Sequence, residues 1–113
     1  MTTDFDVSQV RFNSDGLVPV IAQEATSGLV LMLAWMNLEA LTKTLELREA
    51  VYFSRSRNEL WHKGSTSGNY QTLTGIASDC DGDTLLLTVR VSGPACHNGT
   101  DSCFDTQRIE YTK

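Results

Sequence analysis

The stretch "SDCDGDTLLLTVRVSGPACHNGTDSCF", Ser78 to Phe104, gathers the residues of this chain best suited to chemistry. It holds all three cysteines, Cys80, Cys96 and Cys103, one of the two histidines, His97, and the alternating Asp79, Asp81 and Asp83. Thiolates are soft ligands that select zinc, and carboxylates are hard ligands that suit magnesium or calcium. Cys96 and Cys103 stand seven positions apart, with no CxxC spacing of a zinc finger or a redox pair. Three thiolates from two loops could occupy three corners of a zinc tetrahedron and leave the fourth to water, as in a catalytic site. The competing reading takes Cys80 as a small buried hydrophobe and the loop thiols as incidental. His97, beside Cys96, is a candidate fourth ligand or a general base next to metal-bound water.

In an extended chain alternate side chains share a face, so Asp79, Asp81 and Asp83 are expected to converge. A hard cation would relieve their repulsion. The pattern starts like an EF-hand loop, but Gly82 comes two positions early and the twelfth position is Arg90. The plainer reading is a turn built on Asp81-Gly82. A second polar cluster, "SRSRNELWHKGSTSGNYQ", offers Arg55, Arg57, Lys63, Ser65, Thr66, Ser67, Gly68 and Asn69. Cationic heads, hydroxyls and glycine-flanked amides suit phosphate oxygens. It is not a Walker A motif, and a solvated polar hairpin is the competing reading. His62 has no such company and reads as structural or peripheral.

These residues need elements to hold them. "DGLVPVIAQE" reads as a strand, with Pro19 pushing it towards an edge. "GLVLMLAWM" reads as a buried strand. Asn37 is expected to cap an amphipathic helix running to about Arg48, with Leu38, Leu41 and Leu45 at helical spacing. "AVYFSRS" and "NYQTLTGIAS" have strand composition. The alternation of Leu85, Leu87, Val89 and Val91 predicts the clearest strand, with Thr84, Thr88 and Arg90 on its other face. Gly93 to Phe104 reads as a loop, and "TQRIEYTK" as a last short strand. The expectation is one mostly β domain over residues 1–113, with one principal helix.

Composition bounds the function. A content of 41% hydrophobic and 20% charged residues argues for a globular domain. A net charge of −5 speaks against nucleic acid as a partner. "MTTDFDVSQV" lacks the basic and apolar regions of a signal peptide, and "GLVLMLAWM" is too short to span a bilayer. A cytoplasmic, non-membrane protein is expected, and the odd cysteine count argues against a disulfide framework.

Taken in order, "YFSRSRNELWHKGSTSGNYQ", "DCDGDTLLLTV" and "GPACHNGTDSCF" resemble phosphoribosyl-AMP cyclohydrolases of histidine biosynthesis. The likeness runs from about "FNSDGLVPVIAQ" to "SCF". This sequence has Ser65 where an acidic residue is frequent in the family, and Asn98 where Thr is frequent. The resemblance implies an α+β fold, a mixed, folded sheet or pseudo-barrel, in an intertwined homodimer. It implies Cys80, Cys96 and Cys103 as zinc ligands, the zinc shared between subunits, and Asp79, Asp81 and Asp83 as magnesium ligands. The implied substrate is a nucleotide, N1-(5-phosphoribosyl)-AMP, whose adenine ring is opened by hydrolysis between N1 and C6. The residue types fit independently, since zinc deaminases attack C6 of adenine and some use three cysteines. Three thiolates weaken the acidification of bound water, which gives His97 work as the proton acceptor. The second, pyrophosphohydrolase domain of some relatives is not expected in 113 residues.

Overall fold

The alternation in Leu85–Val91 places Leu85, Leu87 and Val89 at 0% exposure, while Arg90 faces solvent. The computed structural model describes residues 5–92 and 101–111. Numbered along the chain, the strands are β1 (Val18–Glu24), β2 (Val30–Met36), β3 (Val51–Ser54), β4 (Glu59–His62), β5 (Gln71–Ser78) and β6 (Leu85–Val91), with helix α1 (Leu38–Leu47) after β2. A four-stranded sheet has the order β2-β1-β6-β5, and β3 pairs with β4 in a separate hairpin. β6 runs parallel to β1 and antiparallel to β5, so the sheet is mixed. The parallel pair needs a long crossover. The chain supplies it with β2, α1, the β3–β4 hairpin and β5.

Local chemistry sets the helix. The Asn37 side chain accepts from the Ala40 N–H at 2.8 Å, and Arg48 ends α1 in the left-handed region at φ 58°. Ala40, Leu41 and Thr44 are its buried face. The Thr44 hydroxyl donates to the Ala40 carbonyl and accepts from the Val51 N–H, both at 2.9 Å, which ties α1 to β3.

The sheet folds over on the hairpin. Ala50 N–H donates to Gln71 O at 2.9 Å and Leu73 N–H to Arg48 O at 2.8 Å, joining the entry of β3 to β5. Inside, the Tyr52 hydroxyl donates to Gln71 Oε1 at 2.6 Å, and Gln71 Nε2 reaches Met32 Sδ at 3.4 Å. The start of β5 and the start of β2, at opposite edges in the strand order, therefore meet across the core. A mostly β, mixed-sheet fold with one principal helix is the observed class.

Some expectations change. β1 is not an edge, because it pairs with β2 on one side and β6 on the other. The β6 ladder begins at Val20, so Pro19 costs no bond there. β2 is not wholly buried: Leu31, Met32 and Met36 face the core, while Leu33 is 50% exposed. Residues 105–111 form no strand. β4 was hidden among polar residues. No described helix is long and apolar enough to cross a membrane.

Candidate active site

The three aspartates converge through a turn rather than an extended strand. Asp79 Oδ1 accepts the Asp83 N–H at 3.0 Å and the Thr84 N–H at 3.3 Å, and the Asp79 carbonyl accepts the Gly82 N–H at 3.0 Å. Gly82 has φ +79°, and a Cβ there would lie 2.6 Å from the Gln9 carbonyl oxygen. That close approach is used, because the Gly82 carbonyl accepts the Arg11 N–H at 2.8 Å. The segment before β1 thus braces the loop.

Carboxylate oxygens of Asp79, Asp81 and Asp83 lie within 4.8 Å of one another, all on exposed residues. Crowding shows in their acidity. Hydrogen bonds with the Asp81 and Asp79 carboxyls, then desolvation and their charge, raise the Asp83 pKa. Asp79 is shifted down: desolvation opposes the shift, and hydrogen bonds from Asp83, Asp81 and Thr84 outweigh it. Magnesium, at about 2.1 Å from each ligand, spans oxygens up to about 4.2 Å apart. The donor set fits a hard divalent cation after a small inward movement of exposed side chains.

Cys80 sits exposed between Asp79 and Asp81 in the same loop. Cys103 lies elsewhere. Its N–H donates to Leu31 O at 2.7 Å, and the neighbouring Ser102 hydroxyl donates to Val30 O at 2.7 Å. Burial and then the charge of Cys103 push the Tyr52 hydroxyl far up in pKa, so the thiol stands near Tyr52 and hence near Gln71. Gln71 begins β5, and Cys80 follows its end at Ser78. At about 3.3 Å per residue that strand spans roughly 20 Å. Two thiolates on one zinc, each at about 2.3 Å, stand within about 4.6 Å of each other. Cys80 and Cys103 of one chain therefore do not reach one ion. Cys96 and His97 lie in residues 93–100, outside the described residues.

The second cluster divides in two. Arg55 and Arg57 line a cleft of about 830 Å³ with Ala34, Trp35, Phe53, Ser54, Ser56 and Trp61. The Arg55 guanidinium carbon is 4.5 Å from the centre of the Trp35 ring, and Arg57 pairs with Glu59 at 3.6 Å. Lys63 is only 6% exposed, with its ammonium 5.6 Å from the Trp61 ring. Ser65 to Asn69 form a separate turn before β5. Within it Gly68 N–H donates to Gly64 O at 2.7 Å and Asn69 N–H to Ser67 Oγ at 3.2 Å. Ser65 N–H donates to His62 O at 3.1 Å, so these three amides serve the turn itself. His62 Nε2 lies 2.9 Å from Glu49 Oε1, with both side chains about one-third exposed.

The cleft and the aspartate loop open at the same end of the sheet. Ala34 pairs with Val20, Val20 with Leu85, and Leu85 with Ser78, so one row runs from the cleft to the head of the loop. The Ser65–Asn69 turn sits at the other end, with Gln71 and Cys103. Trp35 and Trp61 were missed in the sequence reading. Their signal was aromatic residues close in sequence to the arginines, and the fold brings them together from two separate sheets in the lining of one cleft.

The fold and the site define a β-rich protein with a convergent carboxylate trio, a thiol in the same loop and an aromatic, cationic cleft. A family model described as phosphoribosyl-AMP cyclohydrolase matches residues 32–105. A phosphoribosyl-AMP cyclohydrolase of Micrococcus luteus is 59% identical over 103 residues, covering 91% of this chain and 82% of the relative. One of Mycobacterium leprae is 55% identical over 110 residues, 96% of each chain. The histidine biosynthesis bifunctional protein HisIE of Bacillus subtilis is 56% identical over 102 residues, 90% of this chain and 49% of the relative. This chain belongs to the phosphoribosyl-AMP cyclohydrolase family, hydrolases that act on a cyclic amidine.

Proposed function

We propose that the chain opens the adenine ring of N1-(5-phosphoribosyl)-AMP between N1 and C6, giving the formimino-aminoimidazole carboxamide ribonucleotide of histidine biosynthesis. The observation that carries this reading is the loop holding Asp79, Asp81 and Asp83 within 4.8 Å with Cys80 among them, in a chain of this family. Cys80, Cys96 and Cys103 hold zinc, and Asp79, Asp81 and Asp83 hold magnesium, soft and hard donors each taking their matching ion. Zinc supplies a water made more acidic by coordination. His97 accepts a proton from the attacking water and returns it to N1 as the C6–N1 bond breaks. Alkylation at N1 leaves C6 electron-poor and open to attack.

Arg55, Arg57 and Lys63 hold substrate phosphate or ribose, together with the Ser65–Asn69 turn (Ser65, Thr66, Ser67, Gly68, Asn69). The chain works as a homodimer with the zinc shared. The separation of Cys80 from Cys103 supports this, because the Cys80 end of one copy then meets the Cys103 end of another. Free thiolates suit a reducing, cytoplasmic setting. The test is metal analysis of purified protein followed by a ring-opening assay with phosphoribosyl-AMP. One firmly held zinc per chain, an exchangeable magnesium and turnover are expected. Full activity in magnesium-free protein would remove the aspartate assignment, and no turnover with both metals bound would overturn the reaction.

A further inference from the structure

We propose that the Trp35 ring face is the seat of the N1-alkylated adenine ring, and that Arg55 covers that face only until substrate arrives. The inference rests on the reading of Arg55 as a phosphate-holding residue and adds what the cleft recognises. A cleft of about 830 Å³ lies in the range of small-molecule sites. Trp61 in its wall already packs on protein, its ring 5.7 Å from that of Tyr52 and near the Lys63 ammonium. Trp35 is half-buried and carries the exposed Arg55 guanidinium at 4.5 Å. An exposed cation–π contact is weak. A larger planar cation that buries the whole ring face displaces it.

The substrate is such a cation. Substitution at N1 turns the adenine amidine into a stronger base, whose protonated form spreads its charge over N1, C6 and the exocyclic nitrogen. Plain AMP, unsubstituted at N1, is neutral in its ring at pH 7. The opened product has lost the charged purine. The indole face therefore favours substrate over both. The displaced Arg55 guanidinium presents its fork of donors to a substrate phosphate. The row from Ala34 to Ser78 keeps the cleft at the same end of the sheet as the aspartate loop.

The chain has two tryptophans, and both line this cleft, so tryptophan fluorescence, excited selectively over that of the three tyrosines, reports on the cleft. The probes are AMP and N1-methyl-AMP, with affinities measured by calorimetry on the full chain. N1-methyl-AMP is expected to quench fluorescence and to bind roughly two- to thirty-fold tighter than AMP, the span of cation–π contacts. Trp35→Leu should abolish that ratio, and Trp35→Phe should reduce it. Arg55→Ala should weaken both nucleotides alike and keep the ratio. Equal binding of the two probes by the unmodified chain, or a ratio surviving in folded Trp35→Leu, overturns the proposal. If the Leu variant does not fold, an unchanged ratio in Trp35→Phe does the same. Unchanged affinities in Arg55→Ala would instead remove the phosphate reading of Arg55 and leave the Trp35 result to stand by itself.

Discussion

The backbone N–H of Cys103 donates to the Leu31 carbonyl at 2.7 Å. This bond, with the buried Ser102 hydroxyl on Val30 O, fastens the thiol to the start of β2. Cys80 is held by a different device, the turn that closes between β5 and β6. The two thiols are thus held by different elements, towards opposite ends of β5.

Complementation tests the proposed homodimer with shared zinc. Cys80→Ser and Cys103→Ser homodimers should each be inactive. In a mixed dimer with shared zinc, one site collects both lesions and the other none. Co-refolding should restore activity, up to half that of the unmodified dimer for each mixed dimer. No rescue despite proven subunit exchange would rule out sharing.

His97→Ala should lower turnover by about 10²- to 10⁴-fold, the usual loss for a general acid–base, with zinc content unchanged. Zinc loss in the variant would make His97 a ligand instead.

Gly82→Ala should disable the aspartate loop. The left-handed φ of +79° and the Gln9 oxygen 2.6 Å from the added Cβ act together. A loss of more than about 1 kcal/mol is expected, with weakened magnesium binding. Gly16→Ala is the control, since it has φ +75° but nothing within 4 Å, and should cost less. Chemical denaturation and a magnesium titration read both; equal losses would mean that the Gln9 contact does nothing.

The buried Tyr52–Gln71 hydrogen bond should show in a double-mutant cycle. Gln71→Leu strands the Tyr52 hydroxyl, and Tyr52→Phe strands Gln71 Oε1, each at a cost of about 1–3 kcal/mol. The double variant should cost less than the sum. Strict additivity in urea unfolding would show that the bond carries no coupling.

Glu24 gives a pH signature. The N–H groups of Thr26 and Ser27 donate to its carboxylate at 3.0 and 2.9 Å and lower its pKa below the ordinary 4.5. A lowered folded value means the ionised form favours folding. Its contribution is present above about pH 4.5 and fades as pH falls through the lowered value. Glu24→Gln should be less stable than the unmodified chain at neutral pH, and the gap should close in acid. A gap independent of pH would exclude the linkage.

Helix α1 and strand β6 were legible because their signals are local. Asn37 caps the amide of Ala40 three residues on, and the Leu85–Val89 alternation needs only that one face be covered. β4 was not legible, because Glu59–His62 is four residues of mixed polarity whose extended form comes from pairing with β3. The central place of β1 was not legible either. It depends on β6, which arrives after the whole crossover, and Pro19 alone pointed the other way.

The chemistry of the donors was set by the sequence alone, since softness, charge and hydrogen-bonding capacity belong to each side chain wherever it lies. Thiols, carboxylates and an adjacent histidine already offered one soft and one hard donor set. Position was decided by tertiary structure. The long crossover and the folding of the sheet through Tyr52, Gln71 and Met32 put Cys103 at one end of β5 and Cys80 at the other. Tertiary structure also set Trp35 of β2 and Trp61 of β4, from separate sheets, in one cleft with Arg55. Such contacts join residues far apart in the chain, and no local pattern encodes them.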